Sequence, residues 1–202
     1  MEERIARILS FLFHPLLLPL YTLILFCTLE NSLSLLLPFK SELILILVMV
    51  FITILLPVTL TALFVRMKLV TSFYLETREE RIYPLLITGI FYYLAYYLLK
   101  GIHLSPVISM YMLGSTLLVV LAMMITFFRK ISLHMIGMGG LTGLFLGYSD
   151  HFRGGMPILF FVVLLAGIIG SARLKLGAHK SSEIYSGFFL GAIVMFVLFV
   201  LV

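Results

Sequence analysis

Residues 157–202 read PILFFVVLLAGIIG, SARLKLGAHKSSE and IYSGFFLGAIVMFVLFVLV, which is a polar segment between two apolar ones. The two apolar segments, at 157–170 and 184–202, are almost free of charge, and the polar segment at 171–183 is rich in it. About 20 apolar residues cross a bilayer as a helix. This part of the chain therefore predicts two membrane helices joined by a loop that lies at the depth of the lipid headgroups.

The composition of the whole chain agrees with that interpretation. The chain has 202 residues, of which 62% are hydrophobic and only 11% are charged. No soluble domain of this length needs so much apolar surface, so we expect a bilayer to be its solvent. Hydropathy predicts seven apolar spans, at roughly 9–29, 43–65, 83–99, 107–128, 134–148, 157–170 and 184–202.

These spans predict an all-α fold, a polytopic transmembrane helical bundle of six to seven spans. Residues 1–202 form one integral membrane domain in this prediction, with a retained first helix, because the N-terminal segment lacks a small-residue cleavage site. Spans five and six are short, so we expect their ends to lie among neighbouring helices. Span five also carries glycines that would permit close helix contact: Gly137, Gly139, Gly140, Gly143 and Gly147.

The distribution of basic residues predicts an orientation. Seven spans would place the loops at 66–82, 129–133 and 171–183 on the same side as the N-terminus. That side carries 11 of the 14 Lys and Arg residues, so the positive-inside rule makes it cytoplasmic. The basic residues separate apolar runs and form no continuous face, so the net charge of +5 does not indicate a nucleic-acid partner. Cys27 is the only cysteine, which excludes an intrachain disulfide.

The loop at 171–183 supplies a cation, an imidazole and a carboxylate: Arg173, His179 and Glu183. Arg173 and Arg81, from the first loop, could hold phosphate oxygens through forked hydrogen bonds. His179 is the candidate nucleophile, which would form a phosphohistidine. Glu183 would fix the tautomer of His179 through its other ring nitrogen. If the helix already includes residue 179, the four-residue spacing puts the pair on one face.

The loop at 129–133 supplies two further candidates where span five begins. His134 would protonate the leaving alcohol and later activate water. Ser132 would offer its hydroxyl or its backbone N–H to the phosphate, close to the start of a helix. Arg78 is an additional candidate phosphate ligand. This scheme requires no metal ion or other cofactor.

The third of these loops resembles a motif of the type 2 phosphatidic acid phosphatase (PAP2) superfamily. That motif is commonly Ser-Arg-x5-His-x3-Asp, and Arg173, His179 and Glu183 have its spacing. This chain has Glu in place of Asp, and Ala172 is inserted between Ser171 and the arginine.

The other two motifs of the superfamily are matched less closely. Ser132-Leu133-His134 is similar to the second motif, Pro-Ser-Gly-His, with Ile and Leu in place of Pro and Gly. The first motif, Lys-x6-Arg-Pro, is poorly matched: Arg81 has its proline three residues later, at Pro84, and Tyr74 stands at the lysine position. Arg78 or Lys130 could supply the missing cation.

The resemblance implies a fold, an activity and a class of partner. It implies a PAP2-like helical core over about 66–202, a histidine nucleophile, a second histidine as acid, and no metal cofactor. The implied substrate is a membrane lipid that carries a phosphate monoester or a pyrophosphate, such as phosphatidate, phosphatidylglycerophosphate, polyprenyl pyrophosphate or lipid A. The implied location is the cell membrane, of the bacterial inner-membrane type.

Several other interpretations fit the same residues. The protein could be a catalytically inactive relative that binds or moves an anionic lipid, or it could transfer phosphate to an acceptor other than water. Glu76, Glu79 and Glu80 could neutralise the nearby arginines, and two histidines with Glu183 could bind zinc, although no HExxH-type spacing supports this. His103 and His151 are expected at the interface. At His14 we expect a helix kink with a locally bonded histidine, and the alternative is that His14 lines the substrate entrance.

Overall fold

The computed structural model describes residues 2–28, 39–72, 77–101, 106–148 and 155–201, with only the backbone of Phe39. Within these ranges the chain is helical and contains no strand, so the all-α prediction is confirmed. Tyr74, Glu76, His103 and His151 lie outside the described residues. The helices are α1 (Glu3–Leu12), α2 (Leu18–Thr28), α3 (Phe39–Val50), α4 (Leu56–Arg66), α5 (Arg78–Gly101), α6 (Pro106–Phe128), α7 (Leu133–Tyr148), α8 (Gly155–Lys175) and α9 (Ser181–Val200), with a 3-10 turn at Pro15–Leu17 and a π-helical turn at Phe51–Leu55.

Each predicted span coincides with helix. Among the described residues, six helical segments are long and apolar enough to cross a membrane: Glu3–Thr28, Lys40–Arg66, Arg78–Gly101, Pro106–Phe128, Gly155–Lys175 and Ser181–Val200. The remaining predicted span is α7, which has 16 residues and is short as expected. The prediction that span six is also short is wrong. Its helix, α8, has 21 residues, because it continues through Arg173 to Lys175.

A break divides the first span, and His14 lies at that break. The Nδ1 atom of His14 accepts a 3.3 Å hydrogen bond from the backbone N–H of Leu16. Pro15 has no N–H to continue α1 and instead begins the 3-10 turn. The hydroxyl of Tyr21 donates a 2.8 Å hydrogen bond to the carbonyl of Leu12, which ties α2 to the end of α1. The predicted kink with a locally bonded histidine is therefore confirmed.

Helices α7 and α9 pack backbone against backbone through their glycines. A Cβ atom at Gly139 or Gly143 would collide with a backbone carbonyl of α9, at Phe188 for the first of them. A Cβ atom at Gly191 would in turn collide with the carbonyl of Ile136 on α7. Eleven of the 16 residues of α7 are buried, so this helix is enclosed by its neighbours. We call this contact the glycine seam, and it confirms the predicted use of glycine in span five.

Candidate active site

Two hydrogen bonds join the three polar segments that the sequence predicts on one side of the membrane. Nη1 of Arg81, at the start of α5, donates to the carbonyl of Ile131 at 3.4 Å. The backbone N–H of Ser132 donates to the carbonyl of Glu183 at 3.3 Å. The first, second and third polar segments therefore meet at one end of the bundle, as predicted.

A capping box sets the position of Arg81. The backbone N–H of Glu80 and the hydroxyl of Thr77 form a 3.4 Å hydrogen bond, and the Glu80 carboxylate accepts a 3.4 Å bond from the N–H of Thr77. The same carboxylate accepts a 2.8 Å bond from the N–H of Thr71. The Glu80 carboxylate therefore binds the backbone at the start of α5 and at Thr71. Arg81 follows Glu80 in the helix and is buried, with 8% of its surface exposed.

Arg78 is bonded to a neighbouring carboxylate and to the end of α6. Its Nε atom forms a 2.7 Å ion pair with Glu79, and its side chain is about half exposed. Its Nη1 atom donates to the carbonyl of Phe128 at the end of α6, at 3.1 Å. The expectation that a neighbouring carboxylate neutralises an arginine here holds for Arg78, and the structure does not bring this residue to the buried group.

Arg173 belongs to the last turn of α8, so its predicted location in a loop is wrong. A Schellman motif ends the helix: Ala178 N–H bonds to the carbonyl of Arg173 at 3.2 Å and Gly177 N–H to that of Leu174 at 2.9 Å. Gly177 has the positive φ of 61° that this motif requires. The reversal brings His179 back toward Arg173, whose charge acts on it electrostatically.

His179 and Glu183 form the shortest polar contact of the site. Nδ1 of His179 lies 2.7 Å from Oε2 of Glu183. The helix begins only at Ser181, so the condition that residue 179 is already helical is not met, and the first turn of α9 brings the carboxylate back to the ring. Since the carboxylate accepts at Nδ1, the neutral ring carries its proton there and has a free lone pair on Nε2. The pKa of His179 is lowered to about 4, mainly by burial: the Glu183 hydrogen bond opposes the shift, and the charges of Arg173 and Arg81 add to it.

His134 is held by the N-terminal helix. Its Nε2 atom lies 2.9 Å from the carbonyl oxygen of Ser10, so in this contact Nε2 carries the proton and donates. The ring of His14 packs edge-on against the ring of His134, with centroids 5.5 Å apart. Neither Ser10 nor His14 is among the site residues that the sequence predicts, because no motif spacing relates residue 10 to residue 134. The one feature of the sequence that could have pointed to this contact is His14-Pro15, where the first span breaks.

Unpartnered buried polar atoms concentrate at this end of the bundle. In the part of the chain that the structure describes, three buried side-chain atoms have no hydrogen-bond partner: Oγ of Ser10, Oγ of Ser132 and Nε of Arg173. Ser132 is fully buried and immediately precedes α7, yet its hydroxyl does not cap that helix. A buried polar group without a partner costs free energy, so native proteins pair nearly all of them. The three atoms of this cluster are therefore available to a water molecule or to a ligand that carries acceptor oxygens.

The charges of the cluster favour an anion. Two guanidinium groups, of Arg81 and Arg173, act on His179 from nearby, and Glu183 is the carboxylate that faces them. With a neutral histidine the cluster carries an excess of positive charge in a poorly hydrated place, and an anion would balance it. No three His, Cys, Asp or Glu side chains among the described residues group closely enough to ligate a metal ion.

No protein-family model, no curated protein and no solved structure matches this chain.

Proposed function

We propose that this chain is a membrane phosphatase that hydrolyses a lipid phosphate monoester or pyrophosphate through a phosphohistidine. The observation that carries the proposal is the cluster in which a carboxylate-bound histidine lies among two arginines and three unpartnered polar atoms. A phosphate group offers acceptor oxygens to every one of those donors. The resemblance of the loop at 171–183 to the third PAP2 motif supports the same activity.

In the first step Nε2 of His179 attacks phosphorus. A P–N bond forms while the bond from phosphorus to the lipid oxygen breaks, and the Glu183 carboxylate stabilises the positive charge that develops on the ring. Arg81 and Arg173 hold the equatorial oxygens, where negative charge accumulates. The negative charge of the bound phosphate favours a proton on Nδ1 of His134, and that proton passes to the departing lipid oxygen.

In the second step water releases the phosphate. His134, now neutral, takes a proton from the attacking water through Nδ1, the P–O bond forms and the P–N bond breaks. His134 regains the proton that it gave to the alcohol, so the cycle needs no net proton from solution when the dianionic monoester yields the dianion of phosphate. The Ser10 carbonyl stabilises the charged ring by accepting from Nε2.

The substrate is a lipid because the cluster lies at the ends of membrane helices. Arg81 is in the first turn of α5 and Arg173 in the last turn of α8, both of which are long and apolar enough to cross a membrane. A phosphate at this level is at headgroup depth, with its hydrocarbon chains beside the helices. The bacterial inner membrane, with the site on its cytoplasmic side, is part of the proposal, and it rests on the charge asymmetry of the loops.

The test is release of inorganic phosphate by the purified protein in detergent with EDTA present. The substrates are phosphatidate, phosphatidylglycerophosphate, undecaprenyl pyrophosphate and lipid A, each with a His179→Ala variant in parallel. We expect activity that survives EDTA and is lost in the variant. Phosphate release that persists in His179→Ala, or that EDTA abolishes, would contradict the phosphohistidine mechanism.

A second candidate is binding or movement of an anionic lipid without hydrolysis. One observation favours it: the backbone N–H of Ser132, a predicted phosphate donor, is already bonded to the Glu183 carbonyl. Only the hydroxyl of Ser132 remains for the ligand. On this alternative, folded protein would retain phosphatidate without releasing phosphate, and His179→Ala would retain it equally well.

A further inference from the structure

An apolar groove lies between α5 and α6, on the outside of the bundle. It encloses about 350 Å³ and is open along one side. Six of the residues that line it are Leu85, Gly89 and Tyr93 on α5, and Thr116, Val120 and Met123 on α6. The hydroxyl of Thr116 donates to the carbonyl of Met112 in its own helix at 2.8 Å, so it is not left to recognise a polar ligand.

The groove begins one helical turn from the polar cluster. Arg81, Leu85, Gly89 and Tyr93 follow one another at four-residue intervals along α5. Four residues of α-helix rise about 6 Å, so the row leads from the buried guanidinium about 18 Å along the helix. Arg81 and Leu85 are both buried, whereas Ile90 at the lip of the groove is 55% exposed. The groove therefore connects the level of the cluster with the lipid-facing surface.

The opposite side of the cluster offers no such space. There α7 and α9 meet at the glycine seam, and even an added Cβ atom at Gly187 would lie 2.8 Å from the carbonyl oxygen of Ser132. At Gly89, by contrast, an added Cβ atom would meet Val119 at an ordinary 3.5 Å. A molecule with its anionic end at Arg81 and a long apolar remainder can extend along α5 and α6, but not between α7 and α9.

We infer that the groove between α5 and α6 holds a hydrocarbon chain of the same lipid whose phosphate binds the cluster. This inference rests on the proposed binding of a phosphorylated lipid, and it adds where the hydrocarbon chain of that lipid lies. Lipid chains are as apolar as the groove, so the groove gains little affinity from the hydrophobic effect. Its role is to orient the lipid, so that the phosphate reaches Arg81 and His179 from one direction.

The experiment is photo-crosslinking in detergent micelles with phosphatidate that carries a diazirine in the middle of one acyl chain. Phosphatidylcholine with the same chain is the reference, because it lacks a phosphate monoester. The protein is the His179→Ala variant, so that the probe keeps its phosphate. We expect phosphatidate to label the peptides around Ile90 and Val120 several-fold more than phosphatidylcholine does. Equal labelling by the two lipids would overturn the inference, because bulk lipid would then fill the groove.

Variants that fill or narrow the groove test directly whether the hydrocarbon chain lies in it. Gly89→Leu fills the groove from its floor and Ile90→Trp narrows it at its exposed lip, each in the same background. Both should remove the preference for phosphatidate, so that its labelling falls to the level of phosphatidylcholine. Gly167→Leu is the matched control, since Gly167 lies on exposed α8 surface with no atom within 4 Å of an added Cβ. Unchanged labelling in both groove variants would overturn the inference.

Labelling needs no hydrolysis, so the two proposals can fail separately. Preferential labelling by phosphatidate, in a protein that releases no phosphate, would retain the groove and reject the phosphatase. Phosphate release together with equal labelling by both lipids would retain the phosphatase and reject the groove as the site of the lipid chain.

Discussion

Nδ1 of His179 donates a 2.7 Å hydrogen bond to Oε2 of Glu183, although the histidine precedes α9 and the glutamate lies in its first turn. Negatively charged side chains are favoured in the first turn of a helix, where the free N–H groups point outward. The carboxylate therefore serves two purposes: it suits the start of the helix and it fixes which nitrogen of His179 stays unprotonated.

Replacing Glu183 with Gln should shift the acid side of the pH profile of kcat/KM to lower pH. The pKa of His179 is already below its usual range, and the Glu183 carboxylate opposes that shift by raising it. Loss of the carboxylate removes the opposing effect, so His179 stays neutral to still lower pH, even though the rate itself falls. Titration of the substrate, whose second pKa is near 6, is common to both proteins and cancels in the comparison.

A shift of the acid limb to higher pH in Glu183→Gln would contradict this account of the pair. Ser182→Ala is the matched control, because Ser182 is an exposed neighbour in the same helical turn. It should leave the profile unchanged.

Replacing Ser132 with Ala should weaken ligand binding without loss of stability. The hydroxyl is fully buried and unpartnered, so its removal deletes an unsatisfied group and costs the fold no hydrogen bond. A hydrogen bond to a charged phosphate is worth about 1.5–3 kcal/mol, so affinity for phosphate or KM should change about tenfold or more. Thermal unfolding in detergent and a phosphate-binding titration would measure the two effects. A large fall in unfolding temperature would mean that the hydroxyl has a structural partner.

Arg81 and Arg78 should respond differently to replacement by Lys. Lysine keeps the charge and loses the planar fork that matches two phosphate oxygens. Arg81 is buried beside the cluster, so Arg81→Lys should lower kcat/KM about tenfold or more. Arg78 is exposed and paired with Glu79, and exposed pairs contribute about 0–1 kcal/mol, so Arg78→Lys should change little. Equal losses in the two variants would argue against a specific role for Arg81.

Ligand-induced stabilisation should depend on Arg173. Vanadate or inorganic phosphate that binds only the folded protein should raise its unfolding temperature, and the rise should grow with the logarithm of the anion concentration above the dissociation constant. Arg173→Met keeps much of the apolar stem and removes the guanidinium whose Nε lacks a partner. This variant should unfold at a temperature that no longer depends on the anion, whereas Lys175→Met, at an exposed position in the same last turn of α8, should still respond.

Gly139→Ala should destabilise the bundle. The added methyl group would collide with the carbonyl of Phe188 in α9, and overpacking of this kind costs about 1–3 kcal/mol. Gly167→Ala on α8 adds the same group where nothing lies within 4 Å, and alanine favours helix, so stability should be equal or higher. Thermal unfolding of the two variants in detergent gives the comparison, and equal unfolding temperatures would mean that α7 and α9 are further apart.

Periodicity and composition predict the fold well because each membrane span must be helical and apolar on its own. The helix ends are less predictable: α8 extends through Arg173 because Gly177, and not the first charged residue, stops it. The grouping of Arg81, His134 and His179 at one end of the bundle depends on three polar segments meeting there, which the count of spans predicts. The part played by Ser10 and His14 depends on how α1 packs, and no local pattern in the sequence encodes that.

Because α7 and α9 pack through the glycine seam, the site cannot form until α9 has been synthesised. Helix α7, which carries His134 and directly follows Ser132, leaves the ribosome before α9, and α9 supplies both the neighbour that packs on its glycines and Glu183. A 16-residue helix whose glycines face outward has little to hold it in lipid until that neighbour arrives. We therefore expect maturation of the site to be a late, single event that follows insertion of α9, so that a chain stopped before Ser181 leaves α7 open to protease.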